Sequence, residues 1–91
     1  MAKAEATVEI KNSLGLHARP AALFVQLASE FTSEITVEKD GESVNGKSLM
    51  GLLMLSAGCG TMLKLIAEGN DCDRAIASIA DLINDKFQEE E

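Results

Sequence analysis

Ninety-one residues suffice for one small hydrophobic core and leave no room for a second, so a single domain over 1–91 is expected. Apolar residues make up 46% of the chain, yet it has no Trp or Tyr and only three Phe, so the core must be aliphatic. A formal net charge of −7 argues against nucleic-acid or anionic-membrane partners; with no apolar run of membrane-spanning length and no signal-peptide pattern in residues 1–5, a cytoplasmic protein without membrane insertion is expected.

Ala6, Val8 and Ile10 alternate with Thr7, Glu9 and Lys11, the period-2 pattern of a half-buried strand. Asn12, Ser13 and Gly15 break it. From Ala18 onward, Phe24, Leu27, Ala28 and Phe31 fall at helical spacing. Pro20 is tolerated only in a first helical turn, where no intrahelical acceptor awaits an N–H. The helix therefore starts at or just after His17. Ile35 and Val37 mark a second strand, and Asp40-Gly41 predicts a tight hairpin with a short return strand over 43–45. Ser48 is placed as the N-cap of a short helix over 49–55. Gly58-Cys59-Gly60 reads as a loop.

Leu63, Leu65 and Ala67 alternate with Met62, Lys64 and Ile66 in a fourth strand. Gly69-Asn70-Asp71 ends it and caps a last helix whose Ile76, Ile79, Ala80, Ile83 and Phe87 share one face. Gln88 and the three terminal glutamates read as a frayed acidic tail. The order is β-α-β-β-α-β-α. It predicts an α+β fold, one antiparallel sheet with helices covering one face.

The only histidine and the only proline are three positions apart, in Gly15-Leu16-His17-Ala18-Arg19-Pro20-Ala21. A histidine at a strand-to-helix junction faces the bare N–H groups of a helix N-terminus, a natural seat for a phosphate. A neutral imidazole nitrogen is a nucleophile, and Arg19 supplies a fixed cation for the group it would carry. No Asp or Glu lies nearby in sequence to act as a general base, which fits a carrier better than a hydrolase. On spacing alone, His17 as a plain helix cap stands equally open.

No acid occurs over 10–29 or over 43–67. These two segments carry Lys11, Arg19, Lys47 and Lys64, the relief from like charge that a dianionic group needs. Apolar helices with little space for carboxylates explain part of the pattern. Ser48 admits two readings, a modifiable hydroxyl at a helix N-terminus or a bare N-cap, and local sequence favours the cap. The run Leu49, Met50, Leu52, Leu53, Met54, Leu55 offers more apolar surface than one face of a short helix can bury, so a docking patch is expected ahead of full burial. Cys59 and Cys72 form no metal-type motif and read as reduced thiols. No metal and no cofactor are expected.

With these residues assembled, the chain resembles the HPr family, the histidine-containing phosphocarriers of the bacterial phosphotransferase system. The resemblance covers nearly the whole chain and rests on Gly15-Leu16-His17-Ala18-Arg19-Pro20-Ala21 and on Gly46-Lys47-Ser48-Leu49-Met50-Gly51. It implies an open-faced β-sandwich, a four-stranded antiparallel sheet with three helices on one side. His17 would accept phosphate on Nδ1 from phospho-enzyme I and donate it to a histidine on IIA components of sugar permeases, with Arg19 steadying the group. Ser48 would be the regulatory site of HPr kinase/phosphorylase, and Leu49, Met50 and Leu53 would belong to the docking face. A monomer is expected. Leu52-Leu53-Met54-Leu55 and the acidic C-terminus also resemble the nitrogen-related branch. That leaves an alternative, a nitrogen-branch or catabolite-regulatory binding module that meets a kinase or transcriptional regulator through its phosphorylation state.

Overall fold

A computed structural model describes residues 2–89. The strands β1 (Lys3–Glu9), β2 (Glu34–Lys39), β3 (Glu42–Asn45) and β4 (Met62–Glu68) form one antiparallel sheet in the order β1-β4-β2-β3. The helices α1 (Ala18–Ala28), α2 (Leu49–Met54) and α3 (Cys72–Asn84) complete the β-α-β-β-α-β-α order. The fold class read from the sequence is the one found.

Strand alternation sorts the side chains. Val8, Ile35, Val37, Leu63, Leu65 and Ala67 are buried, and the register sets Val8 opposite Leu63 and Ile35 opposite Ala67. Against them pack Ala21, Phe24 and Ala28 of α1 and Ala75, Ile76, Ile79 and Ile83 of α3, an almost wholly aliphatic core. Alternate residues of the same strands, Glu5, Glu34, Lys64 and Glu68 among them, are exposed on the other face. At the hairpin both Asp40 (φ 50°) and Gly41 (φ 87°) adopt left-handed backbone, the geometry that matches the twist of the strands they join.

A six-residue helix such as α2 is marginal alone. Ser48 Oγ accepts the Gly51 N–H at 3.0 Å, and Lys39 Nζ donates to the Leu55 carbonyl at 2.9 Å at the opposite end. The cap read from the sequence is present, though the helix ends at Met54.

Further boundaries differ from the sequence reading. β1 runs from Lys3 to Glu9 and leaves Ile10 beyond its end, where it stays paired to the 60–61 loop. α1 stops at Ala28, and Phe31 is buried by the loop after it, with the Arg74 guanidinium 5.8 Å from its ring centre. α3 stops at Asn84, so Phe87 is not on its face. Phe87 reaches the core through a reversal of the chain, in which Lys86, Phe87 and Gln88 have φ values of 55°, 56° and 64°. The expected frayed tail is thereby corrected for Gln88 and Glu89; Glu90 and Glu91 lie outside the described residues.

Asp71 precedes α3 but does not cap it with its side chain. Its carboxylate instead accepts the N–H groups of Thr32 (2.8 Å) and Ser33 (3.0 Å) and the hydroxyls of both residues, tying the α1–β2 loop to the start of α3. The Ser33 hydroxyl first, then the Thr32 N–H, hold this carboxyl well below the ordinary carboxylate range. A depressed folded value means stabilisation that is full above the unfolded value, about 3.9, and is withdrawn as pH falls toward the folded one. Asp71→Asn should therefore lower Tm most near neutrality, with the gap to wild type closing below about pH 4. A gap that stays constant from neutral to strongly acid pH contradicts this role.

Candidate functional site

Backbone constraints place the histidine. Gly15 has φ +72°, and a Cβ there would lie 2.5 Å from the Ala57 carbonyl oxygen and 2.7 Å from Gly58 Cα. Only glycine meets both demands. This close approach lets the Leu16 N–H bond the Ala57 carbonyl at 2.8 Å, clamping the loop before His17 to the loop after α2. The Gly15 N–H also bonds the Asn12 carbonyl at 3.1 Å.

His17 then occupies the N-cap position of α1 in extended conformation (φ −85°, ψ −171°), and its side chain makes no capping bond. The plain side-chain cap that the sequence left open is therefore not found. The His17 carbonyl accepts the Ala21 N–H at 3.0 Å, and Pro20, buried in the first turn, has no N–H to place. The donors left without an intrahelical acceptor are the N–H groups of Ala18 and Arg19, immediately after the imidazole. They and the helix dipole favour an anion at this end. Arg19 is exposed and has no ion pair among the described residues. His17 opens onto a shallow hollow of about 190 Å³, shared with Leu14, Leu16, Ser56, Ala57 and Gly58. The two acid-free stretches of the sequence thus meet at one place.

One carboxylate does reach the site, from the far end of the chain. Glu89 Oε2 lies 3.0 Å from His17 Nε2, and Glu89 Oε1 accepts the Asn12 amide Nδ2 at 2.9 Å. Asn12 is fully buried, and Nδ2 also donates to the Gly15 carbonyl at 2.6 Å. The expectation of no acid beside the histidine held along the sequence and fails in space. Asn12 and Glu89 are the site residues that sequence reasoning missed. A buried Phe87 just before Glu89 is the signal that the tail is anchored.

Ser48 is half-buried, occupied as the N-cap of α2. The neighbouring Lys47 ammonium donates to the Phe31 carbonyl at 2.7 Å, so it is committed there. Of the expected docking residues, Leu49 (42% exposed) and Met50 (68%) face outward, whereas Leu53 is half-buried. Of the rest of that apolar run, Leu52 and Leu55 are in the core and Met54 is exposed, and Leu14 adds exposed apolar surface that the sequence reading did not assign to docking. Cys59 is exposed and Cys72 buried, both as free thiols. Among the described residues, no group of three His, Cys, Asp or Glu side chains is placed to hold a metal ion, and no helix is long and apolar enough to cross a membrane.

Comparison with known proteins points to one family. The family model described as PTS HPr component phosphorylation site matches residues 4–85. The HPr-like protein Crh of Halalkalibacterium halodurans is 56% identical over 75 residues, which span 82% of this chain and 89% of that protein. The phosphocarrier protein HPr of Treponema pallidum is 49% identical over 84 residues, 92% of this chain and 96% of that one. The crystal structure of HPr-C-His from Thermoanaerobacter tengcongensis superposes with a TM-score of 0.93 at 57% identity, covering 97% of this chain and 99% of that one.

The Gly15 clamp is directly testable against Gly41, whose positive φ meets open space. Gly15→Ala should cost about 1–3 kcal/mol through strain and backbone clash, and Gly41→Ala less, compared by chemical denaturation of both variants. Equal losses contradict the clamp.

Proposed function

Because this chain belongs to the HPr family of phosphotransferase-system phosphocarriers, we propose that His17 is its phosphoryl acceptor and donor, working between phospho-enzyme I and a histidine of IIA components. The observation that carries the reading is the state of the imidazole. Its Nε2 is engaged by Glu89, and its Nδ1 makes no hydrogen bond among the described residues. Nδ1 is thus the nitrogen left for attack, beside the free N–H groups of Ala18 and Arg19.

Transfer needs little covalent help from the protein. The Nδ1 lone pair attacks phosphorus as the bond to the donor histidine breaks in line, and the bonding pair leaves with the donor. The three phosphoryl oxygens then lie where the helix N-terminus and the Arg19 guanidinium supply donors and positive charge. Onward donation is the same step reversed. The shallow, open hollow suits a group that must be reached by two partner proteins in turn. Hydrolysis would need a base aimed at water, and both oxygens of the nearby carboxylate are taken by Asn12 and His17. The exposed Leu14, Leu49, Met50 and Met54 are the apolar surface on which partners would dock, with Leu53 contributing at the edge. No cofactor enters this scheme, and the work is that of a cytoplasmic carrier.

Ser48 enters as a regulatory site. Its hydroxyl is half-exposed at a helix N-terminus, where a phosphate is tolerated electrostatically but would break the bond to the Gly51 N–H or replace it with one of its own. Likeness at 48% identity to the solved structure of Crh, the Bacillus subtilis catabolite repression HPr, supports a second reading, a regulatory module whose output is docking governed by phosphorylation. Complementation of a carrier-deficient strain separates the two, since only the first restores sugar uptake.

With phosphoenolpyruvate and enzyme I, the protein should gain one acid-labile, base-stable phosphate, and His17→Ala should abolish it. A label retained in His17→Ala contradicts the assignment.

A further inference from the structure

The segment after α3 is built at a conformational cost and brings Glu89 to the imidazole. After α3, three successive non-glycine residues, Lys86, Phe87 and Gln88, take left-handed backbone, which L-residues seldom adopt even singly. Such strain persists only where the surroundings over-determine it. Here two things do so. Phe87 is 1% exposed, locked in the core, and the turn is closed by the Gln88 N–H on the Asp85 carbonyl (2.9 Å) and the Glu89 N–H on the Lys86 carbonyl (3.0 Å). The result returns Glu89 across 72 positions of sequence to His17. Asn12 guides the landing: fully buried, it spends Nδ2 on Gly15 and Glu89, while its Oδ1 has no partner among the described residues.

We propose that Glu89 is a positioning residue that holds the proton of His17 on Nε2 throughout phosphoryl transfer. A carboxylate can only accept, so the 3.0 Å contact requires hydrogen on Nε2. In the neutral ring this leaves the Nδ1 lone pair free and fixes the plane of the imidazole, as a carboxylate does for the histidine of a hydrolytic triad. When Nδ1 forms its bond to phosphorus and the donor's bond breaks, the ring becomes a cation that keeps its Nε2 proton. The Glu89 charge faces that cation from the edge of the ring away from the phosphoryl oxygens. On donation the N–P bonding pair returns to Nδ1, and again no proton moves. Neither direction waits on exchange with water, which suits a relay that must run both ways. The proposal rests on His17 being the acceptor.

Because the chain has one histidine, ring 15N labelling reports on a single imidazole. In the full chain the neutral ring should be a single Nε2–H tautomer, and Glu89→Ala should turn it into a mixture. The initial rate of phosphate acceptance from phospho-enzyme I should fall roughly tenfold, by analogy with the lower end of what loss of an outer-shell partner costs a metal-ligating histidine. Glu89→Gln, which keeps the side chain's size, should slow acceptance as well, so that a folding defect is not the cause. An unchanged tautomer in Glu89→Ala, or acceptance at the wild-type rate in both variants, overturns the proposal. A wild-type chain that takes no phosphate overturns the acceptor reading beneath it, and is recognised because the tautomer still responds to Glu89→Ala.

Discussion

Where β1 and β4 end, their backbone pairing continues. The Ile10 N–H bonds the Thr61 carbonyl at 2.9 Å, the Gly60 N–H returns to the Ile10 carbonyl at 2.7 Å, and Leu16 bonds Ala57 at 2.8 Å. The loop that carries His17 is thereby stitched to the 57–61 loop by main-chain bonds, to which the Cys59 thiol adds a weak contact with the Lys11 carbonyl. Gly15 makes the last of these possible, because any Cβ would strike the Ala57–Gly58 backbone. The placing of His17 beside the start of α1 follows from that clamp. It sets the start of α1, hence the position of the unpaired N–H groups, hence the place where an anion is stabilised beside the imidazole.

The electrostatics of the site are a balance between absence and one exception. The chain is strongly acidic, yet its two acid-free stretches converge on the hollow in front of His17. Under the proposed function, a phosphoryl group carried there would meet backbone donors and Arg19 and little repulsion. Glu89 is the exception, and its geometry explains why it is tolerated. It binds the Nε2 edge of the ring and Asn12, leaving Nδ1 to face the helix end. The same carboxylate that would be harmful on the phosphate side would be favourable on the other, where it would face the positive ring of the proposed transfer.

Much of this was legible in the sequence where the signal is local. Pro20 alone locates the helix start, Asp40-Gly41 the hairpin, Ser48 the cap of α2, and the alternation of Leu63, Leu65 and Ala67 the inner face of β4. What escaped depends on contacts distant in the chain. Phe87 lies four positions after Ile83, so it reads as one more residue of a helical stripe, whereas the chain reverses and buries the ring by another route. Three left-handed non-glycine residues are against local propensity, so no local rule announces the turn. Asn12 reads as a strand breaker, and its burial is visible only once Gly15 and Glu89 are placed around it. Asp71 reads as a helix cap because Asp before a helix usually is one; its carboxylate was drawn away by four donors in the 32–33 loop.

The central claim is that the clamp and the Glu89 contact leave one particular nitrogen of one histidine for the phosphoryl group. The most direct measurement is 15N NMR of the ring-labelled chain after phosphorylation, reading which nitrogen couples to phosphorus. The account predicts phosphorus coupling at Nδ1, with Nε2 still carrying its proton. Coupling at Nε2, or phosphate found with neither ring nitrogen coupled, would contradict it.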